Sequence, residues 1–382
     1  MKIELHILQN FAPSCLNRDD TNAPKDCQFG GFRRARISSQ CLKRATRWHP
    51  HFAETVGSEI GVRTRRLIGE LAHQLVADGK PEEAATEVAS ALIAALASKV
   101  GTDNRTAVGL YVGSEEIARI KEVLIEKWDD LAPEADGEKP DAKEITALKK
   151  QLTKEFRDVA GAADIALFGR MVAENADLNI DAACQVAHAI STHKAAMEMD
   201  FFTAVDDLQP DEAPGAGMMG TVEFNSSCFY RYAMIDLPQL EANLSGNGHL
   251  ACRTVDGFLR ASVAAIPTGR QNSMAAQNPP SFVMVVVRGS GTPWSLVNAF
   301  ERPVQLTGRD DKGLVQKSIE ALDAYWGRLT GMYGEDGIEA KAACWMDEAE
   351  VHNLDACKVA NIGALYAAVQ EVIAGRNGRD QG

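Results

Sequence analysis

The residues of this chain that are best suited to bind a ligand lie in one basic strip, residues 27–50. The strip contains six arginines and lysines and no acidic residue: Arg33, Arg34, Arg36, Lys43, Arg44 and Arg47. Cations without nearby carboxylates are typical of surfaces that neutralise phosphate groups. The alternative is an ordinary solvated helix face, which is less well supported because the rest of the chain is acidic.

The charge balance separates this strip from the remainder of the chain. The 382 residues carry a formal net charge of −13, whereas residues 1–50 contain nine Lys or Arg residues against four Asp or Glu residues. Because salt screens charges beyond about 10 Å, the field of the basic strip stays local. One basic face on an acidic body is compatible with a single polyanion site and disfavours binding to bulk nucleic acid.

The elements that must position these cations are a turn and a helix. The glycine pair at 30–31 predicts a tight turn, and ISSQCLKRATRWH (37–49) predicts a helix capped by Ser38 or Ser39. Free N–H groups at the start of such a helix favour an anion. The serine hydroxyls and the Gln40 amide add hydrogen bonds to phosphate or sugar.

The cations of the predicted helix share one face. Lys43 and Arg47 are separated by four residues, which places them one turn apart, and Arg44 lies beside them. Leu42 and Ala45 are the candidates for the buried face. The spacing therefore predicts side chains that follow successive phosphates along a polyanion.

Two further sets of side chains have the types needed for catalysis or metal binding. Asp19 and Asp20, in NRDD (17–20), could hold Mg²⁺ or act as acid and base, although a turn that hydrogen-bonds its own backbone is the commoner role. His188 and His193 are five residues apart, which suits neither one helical face nor metal ligation. We assign no chemistry to these histidines.

A pair of phenylalanines lies on the first arm of a predicted hairpin, whose arms are MDFFTAV and TVEFN. Phe201 and Phe202 are neighbours on a strand and so point to opposite faces, which predicts that one of them is exposed. In a chain with only 6% aromatic residues, an exposed Phe could stack on a base or wedge a base step. Core packing is the commoner alternative.

Composition and hydropathy predict a soluble globular protein. Hydrophobic residues make up 45% of the chain and charged residues 24%, and no run of 18 apolar residues occurs. We see no signal peptide and expect a cytoplasmic protein without membrane association. The eight cysteines lack CxxC spacing, so we expect reduced core thiols and neither a metal site nor a cofactor.

The order of predicted elements indicates an α+β fold. The patterns predict a strand at 1–9, a loop at 12–31, the helix at 37–49, a helical block at about 54–160, a strand at 222–236, a helix at 254–266, a strand at 281–289 and C-terminal helices. This β–α–(helical insert)–β–α–β order predicts a split β-α-β fold of the ferredoxin or RNA-recognition type, which joins these strands in one sheet.

Several motifs together resemble one family. SCLNRDDTNAPKDCQFGGFRRARISSQCLKRA (14–45) is similar to the start of the CasC family, the repeated backbone subunit of type I-E Cascade, a CRISPR surveillance complex. Further motifs resemble this family in the same order: DIALFGRM (164–171), AHAISTH (187–193), DFFTAVDDLQ (200–209), FYRYAMID (229–236) and VNAFE (297–301). The resemblance spans nearly the whole chain.

The resemblance implies a hand-shaped fold. An RNA-recognition-type palm is expected to carry helical fingers and a β-hairpin thumb. The implied divisions are the first part of the palm with the basic helix at 1–53, the fingers at 54–180, the thumb region at 181–225, and the remaining palm with C-terminal helices at 226–382.

The resemblance also implies the function. Copies of the subunit would line up along one CRISPR RNA, grip its sugar-phosphate backbone and kink it at regular intervals, so that the bases between can pair with target DNA. The implied partners are the CRISPR RNA, other copies of this chain, and the Cascade subunits CasA, CasB, CasD and CasE, within an antiviral ribonucleoprotein.

Residues matching the family motifs are expected to contact RNA. Those implied to grip phosphate and sugar are Arg18, Lys25, Arg36, Ser38, Gln40, Lys43 and Arg47. Met171 is implied to pack against bases near the flipped nucleotide, and the thumb wedge is implied to comprise Phe201, Phe202, Thr203 and Val205. Family members commonly have Trp-Phe where this chain has Phe-Phe.

The resemblance further implies a subunit that is not an enzyme, because type I-E backbone subunits are not known as nucleases. Distantly related type III backbone subunits cut RNA with a palm-loop aspartate. A metal-dependent ribonuclease using Asp19 and Asp20 is therefore the alternative function.

Overall fold

The computed structural model describes residues 1–57, 59–97, 99–132, 139–157, 159–204, 218–306, 311–346 and 348–379. The chain divides into two compact units. We call them the sheet unit (Met1–Phe52, Val186–Met234 and Phe258–Gly382) and the helical unit (Ala53–Gln185 and Ile235–Gly257). The implied division into palm, fingers and thumb stays a prediction.

The strands among the described residues are β1 (Lys2–Ser14), β2 (Asp26–Phe29), β3 (Phe32–Ile37), β4 (Val62–Thr64), β5 (Leu110–Val112), β6 (Cys184–Val186), β7 (Ala189–Ser191), β8 (Glu198–Ala204), β9 (Met218–Asp236), β10 (Phe282–Arg288) and β11 (Ile338–Trp345). The order across the main sheet is β11-β10-β1-β9-β7-β3-β2, and β8 also pairs with β9. The pairs β1–β10, β10–β11, β2–β3, β3–β7, β7–β9 and β8–β9 are antiparallel.

The α-helices among the described residues are α1 (Ser39–Arg47), α2 (Pro50–Val56), α3 (Leu67–Ala77), α4 (Glu82–Leu96), α5 (Ser114–Glu126), α6 (Trp128–Leu131), α7 (Ala142–Phe156), α8 (Ala163–Phe168), α9 (Leu237–Asn243), α10 (Gly248–Ala264), α11 (Gln271–Met274), α12 (Leu314–Tyr333) and α13 (Ile362–Arg379). None of these helices has the length and apolar content that crossing a membrane requires.

The predicted α+β class is confirmed as a mixture of helices with an antiparallel sheet. The predicted strands at 1–9, 222–236 and 281–289 lie in β1, β9 and β10, and the predicted helices lie in α1 and α10. The predicted loop at 12–31 is wrong in part, because β1 continues to Ser14 and β2 occupies Asp26–Phe29. Ladder pairing of β2 with β3 extends the sheet into this segment.

The sheet unit buries side chains on both faces of its sheet, which is why the internal strand β10 begins with six apolar residues, FVMVVV, and is buried at every position including Arg288. On one face, sheet side chains pack with residues of α12, among them Ile319, Leu322 and Trp326. On the other face, Ile37 and Phe229 belong to one cluster with Leu42 of α1. This second contact fixes the position of α1.

The helical unit has a core of its own. Residues of α3, α4, α5, α6 and α7 form one cluster, whose members include Leu71, Leu92, Val123 and Leu148. Each helix contributes apolar residues at helical spacing, and their combined burial stabilises helices that would be marginal alone.

Candidate nucleic-acid interface

Helix α1 presents the cations of the basic strip. Its N-cap is Ser38, whose Oγ accepts a hydrogen bond from the Cys41 N–H at 3.3 Å. Leu42 is buried as predicted, but Thr46 takes the second buried position and Ala45 is only half-buried. The opposite side of the helix carries a polar stripe with the helical spacing i, i+3, i+4 and i+7: Gln40, Lys43, Arg44 and Arg47.

Arg47, the last residue of this stripe, forms a cation–aromatic pair with Trp48, which follows the helix. The guanidinium of Arg47 lies 5.3 Å from the centroid of the Trp48 ring, and Trp48 is 70% exposed. The sequence reasoning missed Trp48, although an exposed aromatic at the end of a basic helix is a stacking surface for a base. Lys43 has no side-chain hydrogen bond or ion pair to any residue that the structure describes.

At the start of α1, protein atoms accept from two of the first three helical N–H groups, those of Ser39 and Cys41, so binding of an anion there stays a prediction. The N–H of Ser38 donates to Asn17 Oδ1 at 2.8 Å, and the N–H of Ser39 donates to His188 Nδ1 at 3.2 Å. Ser38 Oγ takes the N–H of Cys41. Side-chain acceptors therefore satisfy part of the hydrogen-bonding capacity of this helix terminus.

The basic strip is not one exposed surface, because Arg34 points into the protein interior. Its guanidinium is fully buried and donates to the carbonyl oxygens of Ser191 at 2.9 Å, Phe300 at 2.6 Å and Glu301 at 3.1 Å. Burial lowers the pKa of Arg34. This side chain connects β3 to β7 and to the segment at Phe300 and Glu301, and its burial removes it from the exposed cations of the strip.

The turn between β2 and β3 has the predicted form. Gly30 and Gly31 have φ values of +60° and +81°. A two-residue hairpin turn of type I′ requires positive φ at both central residues. A Cβ on Gly30 would overlap the carbonyl oxygen of Glu301, so glycine is also required for close packing. The turn fixes β3, and β3 leads directly into α1.

The other two arginines of β3 are partly engaged by neighbours. Arg33 forms an exposed ion pair with Asp26. Arg36 is half-buried, and its Nε donates to the carbonyl oxygen of Asp26 at 3.0 Å. Arg36 Nη1 lies 3.4 Å from Nδ1 of His188. His188, whose spacing from His193 indicated no chemistry, lies between Arg36 and the start of α1.

The loop at 17–25 is fastened to the same place. The carbonyl oxygen of Asn17 accepts from the N–H of Lys25 at 2.9 Å, and the carbonyl of Lys25 accepts from the N–H of Arg36 at 2.9 Å. Arg18 is exposed and donates to Asn22 Oδ1 at 3.2 Å. Asn17, which also binds the N–H of Ser38, therefore brings Arg18 and Lys25 to the start of α1.

Asp19 is a turn residue, as the commoner interpretation predicted. Its Oδ1 accepts from the Thr21 hydroxyl at 2.7 Å and from the N–H groups of Thr21 and Ala23 at 2.9 and 3.0 Å. These hydrogen bonds, the Thr21 hydroxyl first, lower the pKa of Asp19. Within the described ranges, no three His, Cys, Asp or Glu side chains are grouped so that they could hold a metal ion.

The hairpin of β8 and β9 exposes both phenylalanines, whereas the sequence analysis expected one. Phe201 lies opposite Thr221 and is 62% exposed, and Phe202 lies opposite Gly220 and is 38% exposed. The Phe202 ring covers Gly220, where a Cβ would lie 2.6 Å from its Cζ. Thr203 is exposed on the same strand. Val205 lies outside the described residues.

Met171 belongs to the helical unit, so it is described apart from the residues above. Its side chain is 86% exposed. The backbone on either side is held firmly: Arg170 and Ile180 exchange two hydrogen bonds of 2.9 Å, and the Val172 N–H donates to Asn179 Oδ1 at 2.6 Å. A flexible apolar side chain therefore projects from a fixed backbone.

The comparisons with known proteins agree with one another. The Cas_CT1975 family, described as CT1975-like protein, matches residues 3–371. A solved chain of a CRISPR RNA-guided surveillance complex, pre-nicking, is 30% identical with a TM-score of 0.83, and the match covers 98% of this chain and 100% of that chain. A second CRISPR RNA-guided surveillance complex chain is 25% identical with a TM-score of 0.72, covering 97% and 100%. No curated protein matches this sequence.

Proposed function

We propose, because this chain belongs to the Cas_CT1975 family of CT1975-like proteins, that it is the RNA-gripping backbone subunit of a Cascade-type CRISPR surveillance complex. Both solved relatives are chains of CRISPR RNA-guided surveillance complexes. The alignment covers each of those chains from end to end. A shared role for the whole chain is therefore better supported than one for a single module.

The observation that carries this proposal is the polar stripe of α1. Three cations at helical spacing on one side of a helix, with the other side buried against the sheet, give a fixed row of charges. Such a row suits the repeating phosphates of a single strand. Gln40 belongs to the same stripe, and the neighbouring residues that complete the proposed grip are Arg18, Lys25, Arg36 and Ser38.

The second part of the proposal concerns the shape of the bound RNA. Phe201, Phe202 and Thr203 on the hairpin, together with Val205, would wedge beside a kink, and Met171 would pack against neighbouring bases. Copies of the chain would repeat this arrangement along one CRISPR RNA. The bases between kinks would then pair with target DNA, so the guide RNA would determine sequence choice.

The finer assignment is to a type I-E complex, with CasA, CasB, CasD and CasE as partners. The motifs between residues 14 and 301 support this assignment. We also propose that the subunit is non-catalytic, because Oδ1 of Asp19 already accepts three hydrogen bonds within its own loop. Cleavage of complementary RNA with Mg²⁺, lost on changing Asp19 or Asp20 to Ala, would instead establish the ribonuclease alternative.

The proposal is tested by purifying the chain from cells that also express a CRISPR array and the partner subunits. The bound nucleic acid is extracted and run on a denaturing gel. We expect a discrete RNA of guide length that is sensitive to ribonuclease and is released at high salt. Protein free of nucleic acid, with the array transcribed and the partners present, would refute the proposed function.

A further inference from the structure

We propose that His188 is a neutral hydrogen-bond donor to the RNA backbone, through the Nε2–H of its ring. This inference rests on the proposed function and deepens it, because it assigns a ligand group to a residue outside the basic strip. His188 lies between β6 and β7, and its side chain is exposed at the start of α1. The partners of its two ring nitrogens determine which nitrogen carries the proton.

Both groups that approach Nδ1 of His188 are donors. The backbone N–H of Ser39 lies 3.2 Å from Nδ1, and Nη1 of Arg36 lies 3.4 Å from it. Neither an amide N–H nor a guanidinium can accept a hydrogen bond, so Nδ1 must be the acceptor and must carry no proton. The ring proton of the neutral imidazole is therefore on Nε2.

The charges around the ring keep it neutral. Desolvation, and then the positive charges of Arg36 and Lys25, lower the pKa of His188. A second ring proton would also break the hydrogen bond from Ser39 and face the Arg36 guanidinium. His188 is thus an uncharged ring at neutral pH, fixed by the helix that carries the proposed phosphate grip.

The Nε2–H is the part of His188 that is left for a ligand. Within the part of the chain that the structure describes, no residue accepts from Nε2. Arg36 and Lys25, which flank the ring, are cations that would draw a phosphate to the same place. The chemistry of the site is thus an uncharged donor among cations, which fits a phosphate oxygen or a ribose hydroxyl of the RNA backbone.

This role has a signature in the salt dependence of binding. A cation that contacts phosphate releases counterions, so its loss reduces the log–log salt slope by about 0.7 for a single strand. A neutral donor releases none, so losing it lowers affinity equally at every salt concentration. One hydrogen bond of this kind corresponds to about a fivefold change in affinity.

Two variants separate the ligand role of His188 from its structural role. In His188→Asn, the side-chain oxygen replaces Nδ1 as the acceptor of the Ser39 N–H, and no donor remains at the position of Nε2. In His188→Gln, the longer amide places an N–H donor near the position of Nε2. The Ser39 N–H then loses the acceptor that Nδ1 provided. The full-length protein is titrated against a labelled single-stranded RNA at several salt concentrations, and its melting temperature is measured.

We expect the two variants to have opposite effects on affinity and on melting temperature. The Asn variant should bind about fivefold more weakly with an unchanged salt slope and an unchanged melting temperature, and the Gln variant should bind normally and melt earlier. Equal affinity of the Asn variant and the parent protein would overturn the inference, as would a reduced salt slope in the Asn variant.

Lys43→Ala is measured beside them as the control for the proposed function. Weaker binding by Lys43→Ala with parent-like binding by His188→Asn would refute the inference about His188 alone. Failure of the parent protein to bind RNA would refute the proposed function and this inference together.

Discussion

At the scale of single residues, the cations of the basic strip do different things because their surroundings differ. Arg34 is buried and holds carbonyl groups, Arg33 pairs with Asp26, and Lys43 extends from the polar stripe of α1. A substitution at Arg34 therefore tests stability, whereas a substitution at Lys43 tests binding. The number of cations in the strip does not give the number of phosphate contacts.

Asp19 gives a prediction for stability against pH. Its pKa is lower in the folded protein than the ordinary value of about 3.9. The ionised carboxylate therefore stabilises the fold above that ordinary value, and the contribution is lost as the pH falls through the lowered pKa. We expect Asp19→Asn to be less stable than the parent protein at pH 7, and the difference to shrink as the pH falls below about 3.9, as measured by urea unfolding. A difference that does not vary with pH would contradict this role.

Phe201 and Phe202 should respond differently to alanine. Phe201 is more exposed and covers no glycine, so Phe201→Ala should weaken assembly on RNA with little change in melting temperature. Phe202 covers Gly220, and Phe202→Ala should lower the melting temperature as well. The measurements are a thermal melt and RNA retention for each variant. Equal melting temperatures of the two variants would show that the contact between Phe202 and Gly220 does not stabilise the hairpin.

At the scale of elements, a buried ion pair holds the segment that presents Met171. Arg170 Nη1 lies 2.8 Å from both carboxylate oxygens of Glu116 in α5, and Arg170 Nε donates to the carbonyl of Leu178 at 2.9 Å. Glu116 also accepts from the N–H of Gly113 at 2.8 Å. Burial raises the pKa of Glu116 despite the guanidinium, so the pair depends on its complete set of partners.

Breaking this pair should destabilise the helical unit. Arg170→Met leaves the Glu116 carboxylate buried without its counter-charge, which should cost about 3–5 kcal/mol in the free energy of unfolding. The double variant with Glu116→Gln should recover part of this loss. The control is Arg119→Met, which removes solvent-exposed ion pairs with Glu155, Glu122 and Glu126 and should lower the free energy of unfolding far less, because water screens these charges. Equal costs at Arg170 and Arg119 in urea unfolding would contradict the account.

The elements that the sequence predicted best are those whose signals are local. The serine cap, the apolar spacing and the cations of α1 lie within a dozen residues, and the glycine pair lies at its turn. The roles that the sequence analysis missed depend on distant partners. Arg34 binds carbonyls 157 and 266 residues away, and His188 is 149 residues from the N–H that it accepts. No local pattern indicates which side chains the fold will bring to such places.

At the scale of the whole molecule, residues 1–50 hold nine Lys or Arg against four Asp or Glu, in a chain whose formal net charge is −13. The residues named for the RNA backbone, from Arg18 to Arg47, all belong to the sheet unit, and hydrogen bonds through Asn17 and Arg36 connect the loop, β3 and α1. Nucleic-acid binding through this face should therefore depend steeply on salt, while acidic surfaces elsewhere reduce non-specific binding. The α+β class followed from the order of periodic segments, but the exposed Trp48 did not.

The measurement that tests the central claim most directly compares two double variants that have the same change in charge. Lys43→Ala with Arg47→Glu alters the polar stripe of α1, and Lys149→Ala with Lys150→Glu alters α7 of the helical unit. Each is purified from cells expressing the CRISPR array and partner subunits, its fold is checked by circular dichroism, and its bound RNA is quantified. We predict that the α1 variant is folded and free of RNA while the α7 variant retains RNA. Retention of a full complement of RNA by the folded α1 variant would contradict the claim that α1 grips the guide backbone.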